Sequence, residues 1–185
     1  MNSGRILDAV GTVARLGLAA IWLVSGGLKA LDPDQTYVAV RAYDVLPTAG
    51  VEVVAAVLPW LEIAFGLLLL VGFGVRAVAA MSAALLLVFM AGVAQAWARG
   101  LSIDCGCFGG GGAVAAEDTA YLTELLRDTG FLALAIWLIV RPRTIFAMDA
   151  LFEKGNPRGR SVAQRAEAPA GGREQAAGGG RHRGT

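Results

Sequence analysis

The sequence predicts an all-α protein, a four-helix bundle that spans a membrane and is followed by a disordered C-terminal tail. Two observations carry this prediction. The 185 residues are 56% hydrophobic and only 17% charged, with a mean hydropathy of +0.58, which is too apolar for an ordinary soluble domain. The chain also contains four apolar runs of about 20 residues, the length that crosses a hydrocarbon core. The predicted solvent of the bundle is therefore lipid.

The apolar runs are separated by short links, which is typical of neighbouring helices joined antiparallel. The first run ends in Lys29 and Asp32-Pro33 instead of a small-residue cleavage site, so we expect a retained helix and not a signal peptide. A short cytoplasmic segment, residues 1–12, is predicted to precede the membrane domain, residues 13–141. The four predicted spans within that domain are residues 13–31, 51–71, 77–98 and 120–140.

Residues 153–185 have a different composition, dominated by Gly, Ala, Arg and Pro. Such a segment lacks the apolar surface needed to fold by itself, so we predict a disordered cytoplasmic tail. A solubilising extension explains its arginines more simply than a nucleic-acid-binding arm does, and no nucleic acid partner is expected. The lipid bilayer is the partner that the composition predicts, and the sequence leaves the oligomeric state open.

Basic residues mark one side of the predicted bundle. They flank the N-terminal end of the first span, the link between the second and third spans, and the C-terminal end of the fourth: Arg5, Arg15, Arg76, Arg141, Arg143, Lys154 and Arg158. By the positive-inside rule, that side is the cytoplasm. We therefore predict a multi-pass protein of the plasma membrane with both termini cytoplasmic, and with residues 32–50 and 99–119 outside the cell.

The two cysteines of the chain, Cys105 and Cys107, lie one residue apart in the second outer link. A disulfide across so short a loop would be strained, and strained, exposed disulfides are the labile and catalytic kind. Gly106 and Gly109 leave the sulfurs uncovered, whereas Phe108 has the character of an anchor that packs the loop against the bundle. The outer compartment is oxidising, so the predicted role is that of a redox pair.

Two other interpretations of the cysteine pair are open. A static disulfide closing so short a loop removes little chain entropy, which makes a purely stabilising crosslink a weak explanation. A zinc site needs further Cys or His ligands, and the sequence has none in the predicted spans or links, so no metal is predicted. Copper(I) held by two thiolates is left open. Asp104, next to Cys105, opposes the negative charge of a thiolate.

Ionisable residues inside apolar runs are costly, and they face the interior of a bundle or a watery cavity. Glu62 lies midway along the second span, three residues after Pro59, which is predicted to kink that helix and free a carbonyl near the acid. Arg127 and Asp128 must be drawn inward with the fourth span, because residues 129–140 alone reach only about 18 Å. We predict a contact between Glu62 and Arg127.

The alternative to this contact is a pair between Glu124 and Arg127, three residues apart on one helical face, with Glu62 protonated. Lys29 ends the first span on the cysteine side, where its simplest role is to extend its ammonium group to the lipid headgroups. A desolvated carboxylic acid is also a proton carrier. The residues predicted to support the chemistry or to handle protons are therefore Glu62, Arg127, Asp128 and Lys29.

Several of these motifs resemble one family of membrane proteins. They are Gly26-Gly27-Leu28-Lys29 with Asp32-Pro33, Pro59 with Glu62, and Cys105-Gly106-Cys107-Phe108-Gly109 before a span that carries Arg127. Over residues 15–141 the chain resembles the methylamine-utilisation protein MauE family, within the wider DoxX-like membrane proteins. The resemblance implies a four-helix integral membrane protein associated with the maturation of a disulfide-rich periplasmic amine dehydrogenase and with thioredoxin-like partners.

The predicted function is thiol–disulfide exchange, in which Cys105 and Cys107 react with a thioredoxin-like partner through a mixed disulfide. Turnover needs a further two-electron carrier, for which a membrane quinone is the economical choice, with Glu62 or Arg127 handling its proton or its oxygens. The rival interpretations are a non-enzymatic assembly factor that docks a periplasmic partner and, with less support, a small transporter. The direction of electron flow and the attacking cysteine do not follow from the sequence.

Overall fold

The structure is a computed structural model that describes residues 3–142 and residue 144. The described part contains five helices, α1 (Ser3–Leu31), α2 (Pro33–Ala42), α3 (Thr48–Val71), α4 (Val75–Ala98) and α5 (Tyr121–Val140). Two short strands, β1 (Ile103–Asp104) and β2 (Gly112–Ala113), and a 3₁₀ turn (Ala116–Asp118) lie between α4 and α5. The predicted all-α class is confirmed. The predicted tail, residues 153–185, lies outside the described residues.

Among the described residues, three helices are long and apolar enough to cross a membrane: Gly4–Leu31 within α1, together with α3 and α4. They coincide with the first three predicted spans. α5 is 20 residues long, but Glu124, Arg127 and Asp128 lie in its first half and make it more polar than the other three helices. The crossing of the bilayer by α5 therefore stays a prediction.

α1 begins well before the first predicted span. It starts at Ser3, so most of the segment predicted to precede the bundle, residues 1–12, is helical. Hydropathy reports the solvent that a segment prefers and not its backbone conformation. Polar residues such as Arg5 and Asp8 therefore shortened the predicted span without interrupting the helix.

Arg15 ties α1 to α3 at the end of the bundle that lies away from the cysteines. Its guanidinium is buried, and Nη1 donates hydrogen bonds to the carbonyl oxygens of Leu69 and Leu70, at 2.8 and 3.0 Å. The last carbonyls of a helix have no partner within the helix and carry partial negative charge. Arg15, which the sequence analysis used as a marker of the cytoplasmic side, thus also stabilises a helix end.

The link after α1 contains a helix that the sequence analysis missed. The side chain of Asp32 accepts a hydrogen bond from the backbone N–H of Gln35 at 3.0 Å, and Pro33 occupies the first helical position, which together start α2. α2 has ten residues and a polar sequence, so a search for membrane spans does not detect it. It packs on α3 and on β2, beneath the loop that carries the cysteines.

Glycines allow close packing within the bundle. α1 packs most extensively on α3, and α4 on α5. A Cβ atom on Gly26 of α1 would lie 2.8 Å from the carbonyl oxygen of Pro59, and one on Gly66 of α3 would lie 2.6 Å from Cγ of Leu23. α1 and α3 therefore approach each other through their backbones, the packing that small residues permit in membrane helices.

The end of the bundle where α1 and α4 end and α3 and α5 begin is here called the cysteine end. Polar side chains join its separate segments. The amide Nε2 of Gln35 in α2 donates to the carbonyl of Gly111 at 2.7 Å, and Nε2 of Gln95 in α4 donates to the carbonyl of Tyr43 at 3.0 Å. Both predicted outer links, the one after α1 and the one after α4, therefore meet at one end, as the antiparallel arrangement requires.

Candidate functional site

Cys105 and Cys107 lie in the loop of a small hairpin at the cysteine end, where β1 and β2 pair antiparallel. Asp104 closes this loop. Its Oδ2 accepts a hydrogen bond from the N–H of Gly111 at 3.1 Å, and its Oδ1 lies 3.4 Å from the backbone nitrogen of Gly106. Asp104 was predicted to disfavour a thiolate at Cys105. In the structure its carboxylate instead binds backbone N–H groups of the loop and stabilises the loop conformation.

Gly106 and Gly109 take backbone conformations that favour glycine, with φ of +68° and +87°. Gly106 is buried, and a Cβ atom there would lie 2.8 Å from the Cβ of Ala39 in α2. Gly109 lies at the exposed tip of the loop. The glycine between the cysteines is thus required for the loop to lie flat on α2.

The two thiols are free and differ in their surroundings. Cys105 is 9% exposed, whereas Cys107 is half-buried. The Sγ atom of Cys105 accepts from the backbone N–H of Cys107 at 3.5 Å and from Nη2 of Arg127 at 3.6 Å. Cys105, the more buried residue of the two, is therefore the one whose sulfur accepts these two hydrogen bonds.

These contacts favour a thiolate at Cys105. The hydrogen bond from the Cys107 thiol, joined by those from the Cys107 backbone and Arg127, lowers the pKa of Cys105 below its ordinary value and outweighs the opposing effect of burial. The same thiol–thiol hydrogen bond, together with burial, raises the pKa of Cys107. One sulfur of the pair is stabilised as the anion and the other as the thiol.

Arg127 contacts the cysteine loop and not Glu62, so the predicted contact between Glu62 and Arg127 is wrong. Its Nε donates to Oδ1 of the buried Asp128 at 3.1 Å, and its guanidinium lies 5.0 Å from the ring centre of Phe108. Phe108 in turn packs edge-on against Phe131 of α5, with ring centres 6.1 Å apart. The loop is held against α5 by this aromatic contact and by the guanidinium.

Glu62 forms a buried ion pair with Lys29, because the close packing of α1 on α3 brings their side chains together. Nζ of Lys29 lies 3.0 Å from Oε2 of Glu62, with side-chain exposures of 8% and 0%. Lys29 therefore points into the bundle, and its predicted extension to the headgroups is wrong. The ammonium also donates to the Ser25 hydroxyl at 2.6 Å and to the carbonyl of Cys107 at 3.3 Å. The ion pair thus contacts the backbone of the cysteine loop.

Glu124 and Tyr43 belong to the site, and the sequence analysis did not assign either to it. Oε1 of Glu124 accepts from the backbone N–H of Cys105 at 3.3 Å, while its Oε2 is buried without a hydrogen-bond partner among the described residues. The hydroxyl of Tyr43 donates to the carbonyl of Cys105 at 3.1 Å. Burial, followed by the negative charges of Cys107 and Cys105, raises the pKa of Tyr43, which keeps its hydroxyl a donor. The sequence analysis named Glu124 only as an alternative partner of Arg127, but among the described residues the ion pair of Arg127 is with Asp128.

Asp104, Cys105 and Glu124 place one potential metal ligand each within 4.8 Å of one another. The donor set argues against a cation. Both oxygens of Asp104 and one oxygen of Glu124 already accept backbone hydrogen bonds, and the positive guanidinium of Arg127 lies against the sulfur. We assign no metal to this group.

A cavity of about 160 Å³ adjoins the thiols. Cys105, Cys107 and Lys29 lie in its wall on one side, and apolar side chains of α3 and α4 form the other side, among them Val54, Leu58 and Val88. The lining is almost entirely apolar. Both cysteines therefore line a space within the helical bundle.

Comparison with known proteins identifies the family of this chain. The sequence matches the family described as methylamine utilisation protein MauE over residues 7–141. A curated relative, "Methylamine utilization protein MauE" of Paracoccus denitrificans, is 40% identical over 98 residues, which cover 52% of this chain and 53% of the relative. The chain thus spans about half the length of that relative, and no solved structure matches it. With its three apolar spanning helices, the protein is a membrane protein and belongs to the MauE family.

Proposed function

We propose that this protein carries out thiol–disulfide exchange at the outer face of the plasma membrane, with Cys105 and Cys107 as the reactive pair and a soluble thioredoxin-like protein as partner. The observation that carries the proposal is the asymmetry of the pair. Cys105 is stabilised as a thiolate by Arg127 and a backbone N–H, while Cys107 beside it is stabilised as the thiol and is the less buried residue of the two.

The asymmetry supports an order of events. A thiolate of the reduced partner attacks the sulfur of Cys107 in the oxidised pair, the S–S bond breaks, and Cys105 leaves as a thiolate beside Arg127. The leaving sulfur of lower pKa departs faster. The second partner thiolate then attacks the partner sulfur of the mixed disulfide and releases Cys107. Two electrons pass from partner to pair, and the exchange runs in either direction through a mixed disulfide at Cys107.

Glu124 is the group suited to handle the proton in this exchange. Its Oε2 is buried and unpartnered, and a Glu124 carboxylate oxygen lies within 4.8 Å of Sγ of Cys105. A carboxylate so placed takes the proton when Cys105 changes from thiol to thiolate and returns it afterwards. Lys29 and Glu62 act indirectly: the Lys29 ammonium, paired with Glu62, donates a hydrogen bond to the carbonyl of Cys107. They position the loop and do not touch the sulfurs.

The biological setting follows from the family. The matched family and the relative from Paracoccus denitrificans are both named for methylamine utilisation. We propose that the exchange serves the maturation of a disulfide-rich amine dehydrogenase in that pathway. The proposed membrane arrangement has four spans, with α5 as the fourth, both termini in the cytoplasm and the cysteine end outside.

Trapping of the mixed disulfide tests the exchange and its order. In Cys105→Ser, the Cys107 thiolate attacks the disulfide of the oxidised partner, and no second sulfur of this chain is left to displace the partner, so a partner joined to Cys107 accumulates. Cys107→Ser leaves only the buried Cys105 and traps far less. The measurement is a non-reducing gel of cells expressing each variant at equal level, followed by mass spectrometry of the adduct. The double variant is the control for adducts that do not involve the pair.

Two outcomes would contradict the proposal. Accumulation of the adduct on Cys107→Ser and not on Cys105→Ser would reverse the assigned order. The second outcome is that the double variant still supports maturation of the partner and that neither single variant forms an adduct. This would favour the rival function, an assembly factor that docks its partner without exchanging disulfides.

A further inference from the structure

The apolar cavity beside the thiols has features that the exchange with a soluble partner does not use. It lies between α2, α3, α4 and the cysteine loop, on the bundle side of the sulfurs. Val54 and Leu58 belong to α3, and Val88 to α4, both helices apolar enough to span a membrane. Val88 is 65% exposed on α4, so the cavity wall extends to the surface that the lipid covers.

We infer that this cavity binds the ring of a lipid-soluble quinone, which oxidises the Cys105–Cys107 dithiol and so renews the disulfide. The inference rests on the proposed function and names the second substrate of the same pair. A cavity of about 150 Å³ lined by apolar side chains stays dry and takes up a benzene-sized ring. The cavity here, of about 160 Å³, is of that size and has reactive sulfur in its wall.

Electron balance requires a carrier of this class. Oxidation of the dithiol releases two electrons and two protons, and a quinone accepts both to become a quinol. The Cys105 thiolate adds to a ring carbon, Cys107 then attacks the Cys105 sulfur, and the S–S bond forms as the S–C bond breaks. The protons of the two thiols end on the two quinone oxygens. Lys29 lies in the same wall, and its ammonium, paired with Glu62, is a hydrogen-bond donor for a quinone oxygen.

Neighbouring valines on α3 provide a matched test. Val54 lines the cavity, whereas Val53 is 63% exposed on another face of the helix. Val54→Trp fills the cavity, and Val53→Trp adds the same side chain outside it. The full-length protein is reduced in lipid nanodiscs and mixed with decylubiquinone, and both the loss of thiols and the loss of quinone absorbance are followed.

We expect wild type and Val53→Trp to be oxidised at the same rate, with two thiols lost for each quinone reduced. Val54→Trp is expected to react at least about tenfold more slowly, which corresponds to about 1.4 kcal/mol. Diamide, a water-soluble thiol oxidant, is expected to oxidise all three proteins alike, which shows that the thiols of Val54→Trp are intact. Leu58→Phe, a smaller change in the same wall, is the second variant in case Val54→Trp does not fold.

Two results would overturn the inference. One is equal quinone rates for Val53→Trp and both cavity variants. The other is a wild-type dithiol that diamide oxidises and decylubiquinone does not. Adduct formation by Cys105→Ser does not depend on the cavity. If the partner is trapped but either of these results is found, the proposed thiol–disulfide exchange stands and only the quinone inference is refuted.

Discussion

At the scale of single residues, Glu62 and Lys29 form an ion pair that is buried inside the bundle. Neither side chain is more than 8% exposed, and they lie 3.0 Å apart. Glu62→Gln leaves the Lys29 ammonium without its counter-charge, and removing one partner of a buried pair costs about 3–5 kcal/mol. We expect a large drop in the thermal unfolding midpoint of the purified protein in detergent.

Glu52 gives the matched control for that variant, because it lies on the same helix with its side chain exposed. Glu52→Gln is expected to leave the midpoint nearly unchanged. Combining Glu62→Gln with Lys29→Met removes both charges and should restore most of the loss. Equal midpoints for the Glu52 and Glu62 variants would show that the ion pair does not stabilise the fold.

Arg127 is expected to set the pH at which Cys105 reacts. Its guanidinium lies 3.6 Å from the Cys105 sulfur and helps to lower the pKa of that thiol. The thiolate is the species that iodoacetamide alkylates, so a lowered pKa moves the midpoint of the pH–rate profile to lower pH. Arg127→Gln is expected to move that midpoint to higher pH, measured in a Cys107→Ser background.

The control for this prediction is Arg99→Gln, which removes an exposed guanidinium from the same end of the bundle. Its profile should match that of the parent. Arg127→Lys keeps the charge and should restore part of the shift. The other ionisable groups around Cys105 are unchanged in every variant: Tyr43, Asp104, Glu124 and Asp128. A profile that does not move in Arg127→Gln would refute the role of Arg127.

The sequence was informative about which residues are buried and less so about which of them meet. A carboxylate in the middle of an apolar run must face inward, and Glu62 does. Its partner depends on which helices pack together, which the sequence pattern does not encode. Lys29 was predicted to lie at the membrane interface because it ends a span and because the sequence pattern does not show that α1 packs on α3. Glu124 was considered only as a partner for Arg127, because its backbone contact with the cysteine loop depends on how that loop folds back.

At the scale of the helices, the three apolar spans were predictable because their length and composition are dictated by the bilayer. α2 was not predicted from hydropathy, because it is short and polar. Asp32 as the capping residue and Pro33 at the first helical position are nevertheless typical of a helix start. The hairpin depends on glycines with positive φ, such as Gly106, whose conformation is set by contact with α2. Helices whose length and composition are set by the bilayer were therefore predictable, whereas α2 and the hairpin, which depend on contacts within the protein, were not.

The contact between α1 and α3 is expected to control the site from a distance. Gly26 and Gly27 are adjacent in α1, but a Cβ on Gly26 would lie 2.8 Å from the Pro59 carbonyl, while one on Gly27 would meet nothing within 4 Å. Gly26→Ala therefore pushes the helices apart, at a cost of about 1–3 kcal/mol typical of overpacking. Gly27→Ala should be neutral or slightly stabilising, because alanine favours the helix.

Thermal unfolding and thiol protection together check this prediction. Separation of α1 from α3 moves Lys29 away from Glu62 and loosens its hold on the Cys107 carbonyl. We expect Gly26→Ala to show both a lower unfolding midpoint and faster alkylation of Cys105, with Gly27→Ala unaffected in both. Gly26→Ala and Gly27→Ala behaving alike would mean that the helices are not packed as described.

At the scale of the whole molecule, the two ends of the bundle differ in charge. The cysteine end carries most of the acidic residues of the described chain: Asp32, Asp34, Asp44, Asp104, Glu117 and Asp118, against Arg41 and Arg99. The opposite end carries the basic residues Arg5, Arg76 and Arg141, against Asp8. By the positive-inside rule, an excess of basic residues favours the cytoplasmic side, so we predict that the cysteine end faces outward. In this predicted orientation α5 would be the fourth span, with its charged first half at the cysteine end.

Labelling of single cysteines in intact cells tests this orientation. In a Cys105→Ser, Cys107→Ser background, Ala115→Cys places a thiol at an exposed position of the cysteine end, and Phe73→Cys places one in the exposed turn between α3 and α4. A membrane-impermeant maleimide is expected to label Ala115→Cys in intact cells, and Phe73→Cys only after the cells are opened. The reverse pattern would place the pair in the reducing cytoplasm, where a disulfide does not persist, and labelling of both sites in intact cells would exclude a bundle that separates its two ends across the membrane.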